Sequence, residues 1–368
     1  MDLTVGVGPP RSALPSEIDV GLPLVKAALL YGDRVTLCSP AASVLARLDR
    51  DQPTALADRL AVLAGLADDL GLDDRPARLA AVVEAGRASP ESARAAVDGW
   101  WRRYRRVLAE AVAESGLAEL APAVAAGRLT IATLGVGPVV RPSDVAEAAA
   151  EAYAQLVAEA VARGDTTPLL DADTAQGVGE AVAAGRVDVS VARSARARTG
   201  GLAAHTLQQL PLFEEATVAE VLDVRADLDG PLDRFRAAIG DFADEVASAV
   251  WDADFPVEAG RVYRQRVAPA VAEVEDAVAS VGYLRELVSR YAERPAQFVP
   301  VTAPLLTVAV TSADALSQAV AAALGGLSLA ANAGQAWQAS RDARREVRAH
   351  RLFFVYAAGR RLGRRPVW

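Results

Sequence analysis

Apolar positions along the chain follow two spacings. Short runs rich in β-branched and aliphatic residues occur at Leu3–Gly8, Arg34–Ser39 and Leu129–Leu134, each ended by Gly or Pro, and predict strands. The helical period governs most of what lies between. It predicts helices over Leu22–Tyr31, Pro53–Leu70, Pro76–Ala85, Pro90–Ser115 and Ser143–Arg163, with another near Ala175–Ala184. Ser89 and Pro90 supply an N-cap and a first helical residue, with Glu91 in the first turn. Strand, helix and second strand within the first 39 residues form a small β-α-β unit. The stretch 164–199 is less regular, and Arg193, Arg196, Arg198 and Gly200-Gly201 are expected in an exposed connector.

The strongest period follows. Leu228, Leu232, Phe235, Ile239, Phe242 and Val246 form a heptad seam, and after a break at Trp251–Pro256 the valines 267, 271, 274, 278 and 281 continue through Leu284 and Val288 to Tyr291. Two long amphipathic helices joined by a short loop predict an antiparallel pair, with Pro269 kinking the second. Residues 295–340 then hold Asp314 as their single charge. Asp314 is expected to cap a helix starting near Ala315, inside a segment that either packs as core or inserts into a membrane.

These patterns predict a fold that is mainly α with a minor β component, α+β in class, in which an N-terminal α/β region packs on a C-terminal body of long antiparallel helices. Residues 1–165 form the mixed, mostly helical α/β region and 166–213 a connector with short helices. Residues 214–368 form the long-helix body, which includes the low-charge segment 295–340 and a basic tail, 341–368. With 368 residues, 52% hydrophobic and 23% charged, the chain buries a sizeable core and is not a disordered linker.

Charge and cysteine usage narrow the classes further. Lys26 is the sole lysine, so arginine carries almost all positive charge, a bias that speaks of genome composition more than of function. Cys38 is the only cysteine and His205 and His350 the only histidines, which excludes an internal disulfide and a cysteine-rich or multi-histidine metal site. Met1–Pro10 lacks a basic leader region, and about 18 consecutive strongly apolar residues occur nowhere, so a cytoplasmic location is expected. The net charge is −8, yet the last 28 residues hold nine arginines against two acids. Such a tail either docks on its own acidic body, the reading preferred here, or meets anionic lipid or nucleic acid.

The stretch Leu210-Pro211-Leu212-Phe213, Ala216–Val218, Glu220–Arg225 and Gly230-Pro231-Leu232 to Phe235-Arg236 resembles an uncharacterised bacterial protein family with no assigned activity. An early segment, Ala28–Val35, and a late one, His350–Phe354, share in the resemblance. It implies one inherited unit and assigns no functional residue.

Several residue groups carry candidate chemistry. Arg345 and His350 have the R-x4-H spacing of HEPN ribonucleases, in which Arg stabilises a phosphorane and His moves a proton. The anion-binding candidates are Arg344, Arg345, Arg348, Arg351, Arg360 and Arg361. Trp100-Trp101-Arg102-Arg103-Tyr104 mixes aromatics with cations, and is expected to be an amphipathic helix with Trp100, Tyr104 and Val107 on its apolar face. Asp171-Ala-Asp173 is expected to be a turn followed by an N-cap at Asp173, and Gly6-Val7-Gly8 a turn that does not complete a dinucleotide fingerprint. Cys38 is expected to be a buried small apolar residue. No metal and no cofactor are indicated. A non-enzymatic interaction or scaffold protein, binding a protein partner or itself, is the expected role. A membrane-active helical protein using 295–340 and a nucleic-acid-directed enzyme are the alternatives.

Overall fold

The computed structural model describes residues 1–8, 20–50, 55–65, 67, 71–134, 142–162, 165–210, 213–279 and 333–362. Strands β1 (Asp2–Gly6), β2 (Arg34–Cys38), β3 (Leu129–Ile131) and β4 (Thr167–Leu170) form one parallel sheet in the order β3-β2-β1-β4. Leu3 stands opposite Val35 and Thr167, and Val5 opposite Leu37 and Leu169. All six are buried, as a parallel sheet covered on both faces requires.

Parallel neighbours need crossovers. Helix α1 (Leu22–Tyr31) links β1 to β2. Five helices fill the passage from β2 to β3: α2 (Pro40–Arg50), α3 (Leu56–Gly65), α4 (Arg75–Glu84), α5 (Pro90–Glu114) and α6 (Ala121–Ala125). Helix α7 (Pro142–Ala162) returns the chain to β4 on the far side of β1. Pro40, expected only to end β2, opens α2, where its missing N–H costs nothing.

β4 and the helices after it differ most from the sequence-based expectation. A four-residue strand containing Pro168 has no readable period, and it is tolerated because β4, among the described residues, is an edge strand paired only with β1. The expected connector around Arg193–Gly201 is instead part of α9 (Val191–Gln208), which follows α8 (Ala172–Ala183). Its buried face is built from Ala197, Gly200, Gly201, Ala203 and Ala204 with Leu202 and Leu207, so the large apolar residues that mark a period are scarce. Close approach explains the glycines. A Cβ at Gly200 would lie 2.7 Å from the Thr167 side chain, and one at Gly201 2.7 Å from Phe255.

Helix α1 is the centre of the molecule. Its residues from Val25 to Tyr31 are all buried, because it lies against the sheet on one side and against α9 and α10 (Val218–Asp227) on the other. The single lysine sits here: Lys26 Nζ donates to the Glu214 carbonyl at 3.0 Å and pairs with Glu119 at 3.2 Å, while Glu119 also accepts the Val218 N–H. A compact ammonium fits a site where the forked guanidinium would need more room. At the other end of α1, Arg236 Nε donates to the Tyr31 carbonyl at 3.0 Å and Arg225 Nε to the Gly32 carbonyl at 3.4 Å. Both arginines also pair with Asp33, at 3.0 Å and 2.6 Å.

The first heptad seam is fully buried, from Leu228 through Leu232, Phe235, Ile239 and Phe242 to Val246. Most of it belongs to α11 (Asp229–Ala243), which packs on α9 and on the last described helix, α14 (Phe353–Leu362). Phe235 stacks on Phe354 at 5.2 Å between ring centroids and meets the edge of Tyr31 at 5.9 Å. Helix α12 (Phe255–Val262) runs through a π turn, Tyr263–Val267, into helical residues 268–279. The π turn ends just before Pro269, where a kink is expected, and the proline ring crowds the carbonyl four residues back, at Gln265 within that turn. Val274 and Ala277 form a small core with Ala343 and Val347 of α13 (Ala333–Ala349) and with Tyr356. The seam positions from Val281 onward, Asp314, and Gly135–Pro138 lie outside the described residues.

The chain is thus mainly helical with a minor, parallel β component, and one contiguous core runs from Leu3 in β1 to Leu362 in α14. Burial works against the Asp33 carboxylate, but hydrogen bonds and charge from the terminal amine and Arg236 win and hold its carboxyl far below its usual value of 3.8. A depressed carboxyl stabilises the fold above its unfolded pKa and loses that contribution as pH falls through the folded value. Asp33→Asn is therefore expected to lower the urea midpoint at neutral pH, with the deficit shrinking below pH 3.8. Paired urea melts from neutral pH to pH 2 check this, and a deficit independent of pH would contradict it.

Candidate functional site

The basic tail is partly committed to the chain's own surface. Arg351 lies 3.5 Å from Asp241 and covers the Phe242 ring at 4.7 Å, Arg361 pairs with Asp227, and Arg360 donates to the Tyr356 hydroxyl at 2.8 Å. Arg345 is directed to Asp342 at 3.7 Å, and the Arg348 carbonyl accepts from Arg234 at 2.7 Å. Arg344 and Arg348 carry exposed side chains on α13. His350 Nδ1 accepts the Leu352 N–H at 3.2 Å, so that nitrogen holds a turn. Among the described residues no cluster of three or more His, Cys, Asp or Glu side chains could hold a metal, and no helix is long and apolar enough to cross a membrane.

The aromatic and basic stretch in α5 is amphipathic, but its apolar face is shifted from the expected one. Trp101, Tyr104 and Leu108 are buried, whereas Trp100 is half-buried and Val107 exposed. Val97 and Ala93 continue the buried face upstream, and that longer run decides the register. Cys38 is 3% exposed, and burial pushes its thiol up to about 11, which leaves it inert at neutral pH.

At the carboxyl edge of the sheet the chain assembles a cleft. β1 is followed by Gly8, whose N–H donates to Asp171 Oδ2 at 2.8 Å. Asp171 ends β4, donates its own N–H to the Gly6 carbonyl at 3.0 Å, and caps α8 by accepting the Thr174 N–H on Oδ1 at 2.7 Å. The N-cap is therefore Asp171 and not Asp173. The extended backbone of Asp171 is what a cap requires, while Asp173 already lies in the first helical turn. Beneath this tie, the Tyr153 and Thr174 hydroxyls share a buried 2.5 Å hydrogen bond, and burial raises the Tyr153 phenol far above its usual range.

Beside Asp171 opens a cleft of about 950 Å³. Its walls are the start of α1 (Gly21, Pro23, Leu24), the end of β4, one face of α8, the α9 residues Gly201 to Gln208, and the loop from Val250 to Pro256. The residues just before that loop are held by Glu258, whose carboxylate accepts from Ala247 N at 2.7 Å, Ser248 N at 3.1 Å and Ser248 Oγ at 3.0 Å. Hydrogen bonds from Ser248 and Ala247 lower the Glu258 carboxyl. His205 lines the cleft from α9, meets the edge of Tyr263 at 6.3 Å, and is kept neutral at pH 7 by burial and by the neighbouring Arg264.

No linear pattern reveals this site. Its walls come from four segments separated by 15 to 150 residues, roughly, and only the topology brings them together. Asp171 is singled out in the sequence only as a turn residue ahead of a cap at Asp173, because two acids follow the apolar run Pro168-Leu169-Leu170. His205, Gln208 and Trp251 carried no such signal.

Asp171→Ala removes the α8 cap and the bond to Gly8, and is expected to cost about 2 kcal/mol, the upper end for an N-cap. Chemical denaturation measures it, and a loss under about 0.5 kcal/mol would mean the tie contributes little. Comparison of the chain with protein-family models, curated proteins and solved structures finds no match, so the chemistry of the cleft rests on its own geometry.

Proposed function

We propose that this protein binds a small organic molecule in the cleft between the carboxyl ends of β1 and β4. One observation carries the proposal. In the order β3-β2-β1-β4 the chain reverses its direction of growth between β1 and β4, and open parallel sheets place their ligands outside the carboxyl edge at such a switch point. The cleft opens beside that point, lined by the end of β4 and by the start of α1, the helix that follows β1, with mostly apolar walls and a few converging polar groups, as ligand sites have. A protein–protein scaffold role through the 228–246 seam is not part of the proposal, because that seam is buried in the chain's own core. The expected antiparallel pairing of α11 with the helix that follows Pro256 is not part of the proposal either, since the packing of α11 is on α9 and α14.

Ala175, half-buried on α8, lines the cleft and tolerates a larger side chain as far as the helix is concerned. A fragment mixture screened by ligand-observed NMR is expected to give binders to the parent chain that are lost in Ala175→Trp, while circular dichroism shows the fold retained. Binders unaffected by the substitution, or none at all, would overturn the proposal.

A further inference from the structure

The walls of the cleft also define its ligand class, an inference that rests on the small-molecule reading above. Among the described residues lining it, three are carboxylates (Asp171, Glu180 and Asp252) and none is Lys or Arg. A strand, glycine turn and helix ordinarily cradle an anion with free backbone N–H groups. Here the Gly8 N–H is already given to the protein's own carboxylate, Asp171. Helix α1 offers one amide fewer, as Pro23 in its first turn has no N–H. A phosphate or carboxylate ligand would lose the amide and face Asp171 directly.

The opposite rim has the parts of a cation site. A Cβ at Gly179 would lie 2.8 Å from the Trp251 carbonyl, so α8 and the 250–256 loop touch there, which brings Glu180 and Asp252 to one rim beside Trp251. Glu180 accepts from Gln176 Nε2 at 3.1 Å and Asp252 from Ala249 N at 2.6 Å, and each carboxylate retains further acceptor positions. Deeper in, neutral His205 offers a ring nitrogen rather than a positive charge, and exposed Arg264 stands beyond it near Gly260. Leu24, Leu170 and Ala175 supply apolar wall.

We infer that the cleft takes an organic ammonium compound with an apolar body, its charged head at Glu180, Asp252 and Trp251 and its body against Leu24 and Leu170. The carboxylates attract the head, the indole adds cation–π attraction, and the apolar wall excludes water from the remainder.

Three probes of matched shape test this on the full chain by NMR titration: 3-phenylpropylamine, 3-phenylpropanol and 3-phenylpropionate. The amine is expected to bind about tenfold more tightly than either other probe, the combined size of a part-exposed ion pair and a cation–π contact. Its binding is lost in Ala175→Trp and weakened about threefold in Glu180→Gln, whose exposed position leaves folding unaffected. Equal or tighter binding of the alcohol or the carboxylate, or amine binding indifferent to Ala175→Trp, overturns the ammonium assignment. If other fragments still bind in a manner sensitive to Ala175→Trp, that failure leaves the small-molecule reading standing. If none does, both fall together.

Discussion

The whole structure depends on burying one ten-residue helix on every side. Helix α1 has no solvent face from Val25 to Tyr31, so its last carbonyls must find donors inside the protein. Arg225 and Arg236 provide them from α10 and α11, about 190 to 200 residues away in sequence, and Asp33 compensates their charge. Arg225 is 3% exposed and bonds Asp33 and the Gly32 carbonyl as well as its neighbour Asp229, so the sheet region and the C-terminal helices share this polar node, and separating them breaks its bonds to Asp33 and Gly32. Lys26 makes the second such node, between α1, Glu119 and the start of α10. Removing either partner of such a pair costs more than the pair contributes, which favours a single cooperative unit.

The cleft follows from the same constraint. With α1 fixed between sheet and helices, its N-terminus is fixed at the carboxyl edge, beside the end of β4. Small residues then decide how close the neighbours come: α9 approaches β4 and Phe255 through Gly200 and Gly201, and α8 approaches Trp251 through Gly179. The remaining space between these contacts is the cleft. Its polarity is local in origin, since Asp171 serves as strand terminator, helix cap and cleft-lining carboxylate at once.

Where the chain uses large apolar residues at a regular period, its structure was legible in the sequence. The Leu228–Val246 seam is buried as its spacing implies, α1 has the predicted bounds, β2 lies within its predicted run, and β1 starts one residue before its own. Where packing depends on small residues the signal fades, which is why α9 resembled a connector and β4, with Pro168, an irregular stretch. The α5 face was displaced because Trp100 and Trp101 are equivalent by composition, and it is the longer buried run from Ala93 and Val97 to Leu108, packed on α3 and α2 among others, that chooses Trp101. The cleft was not legible at all beyond Asp171. Charges on opposite sides of a fold become neighbours only through topology, and no local pattern records that the region around 205, the 176–180 turn and residue 252 converge.

The central claim, that α1 joins the sheet region and the C-terminal helices into one cooperative unit, is tested most directly by native-state hydrogen exchange across a denaturant series. Amides of α1, β1, α10 and α11 are then expected to converge on one opening free energy, equal to that of global unfolding. Amides of α10 and α11 that open at clearly lower free energy than those of α1 and β1 would contradict it.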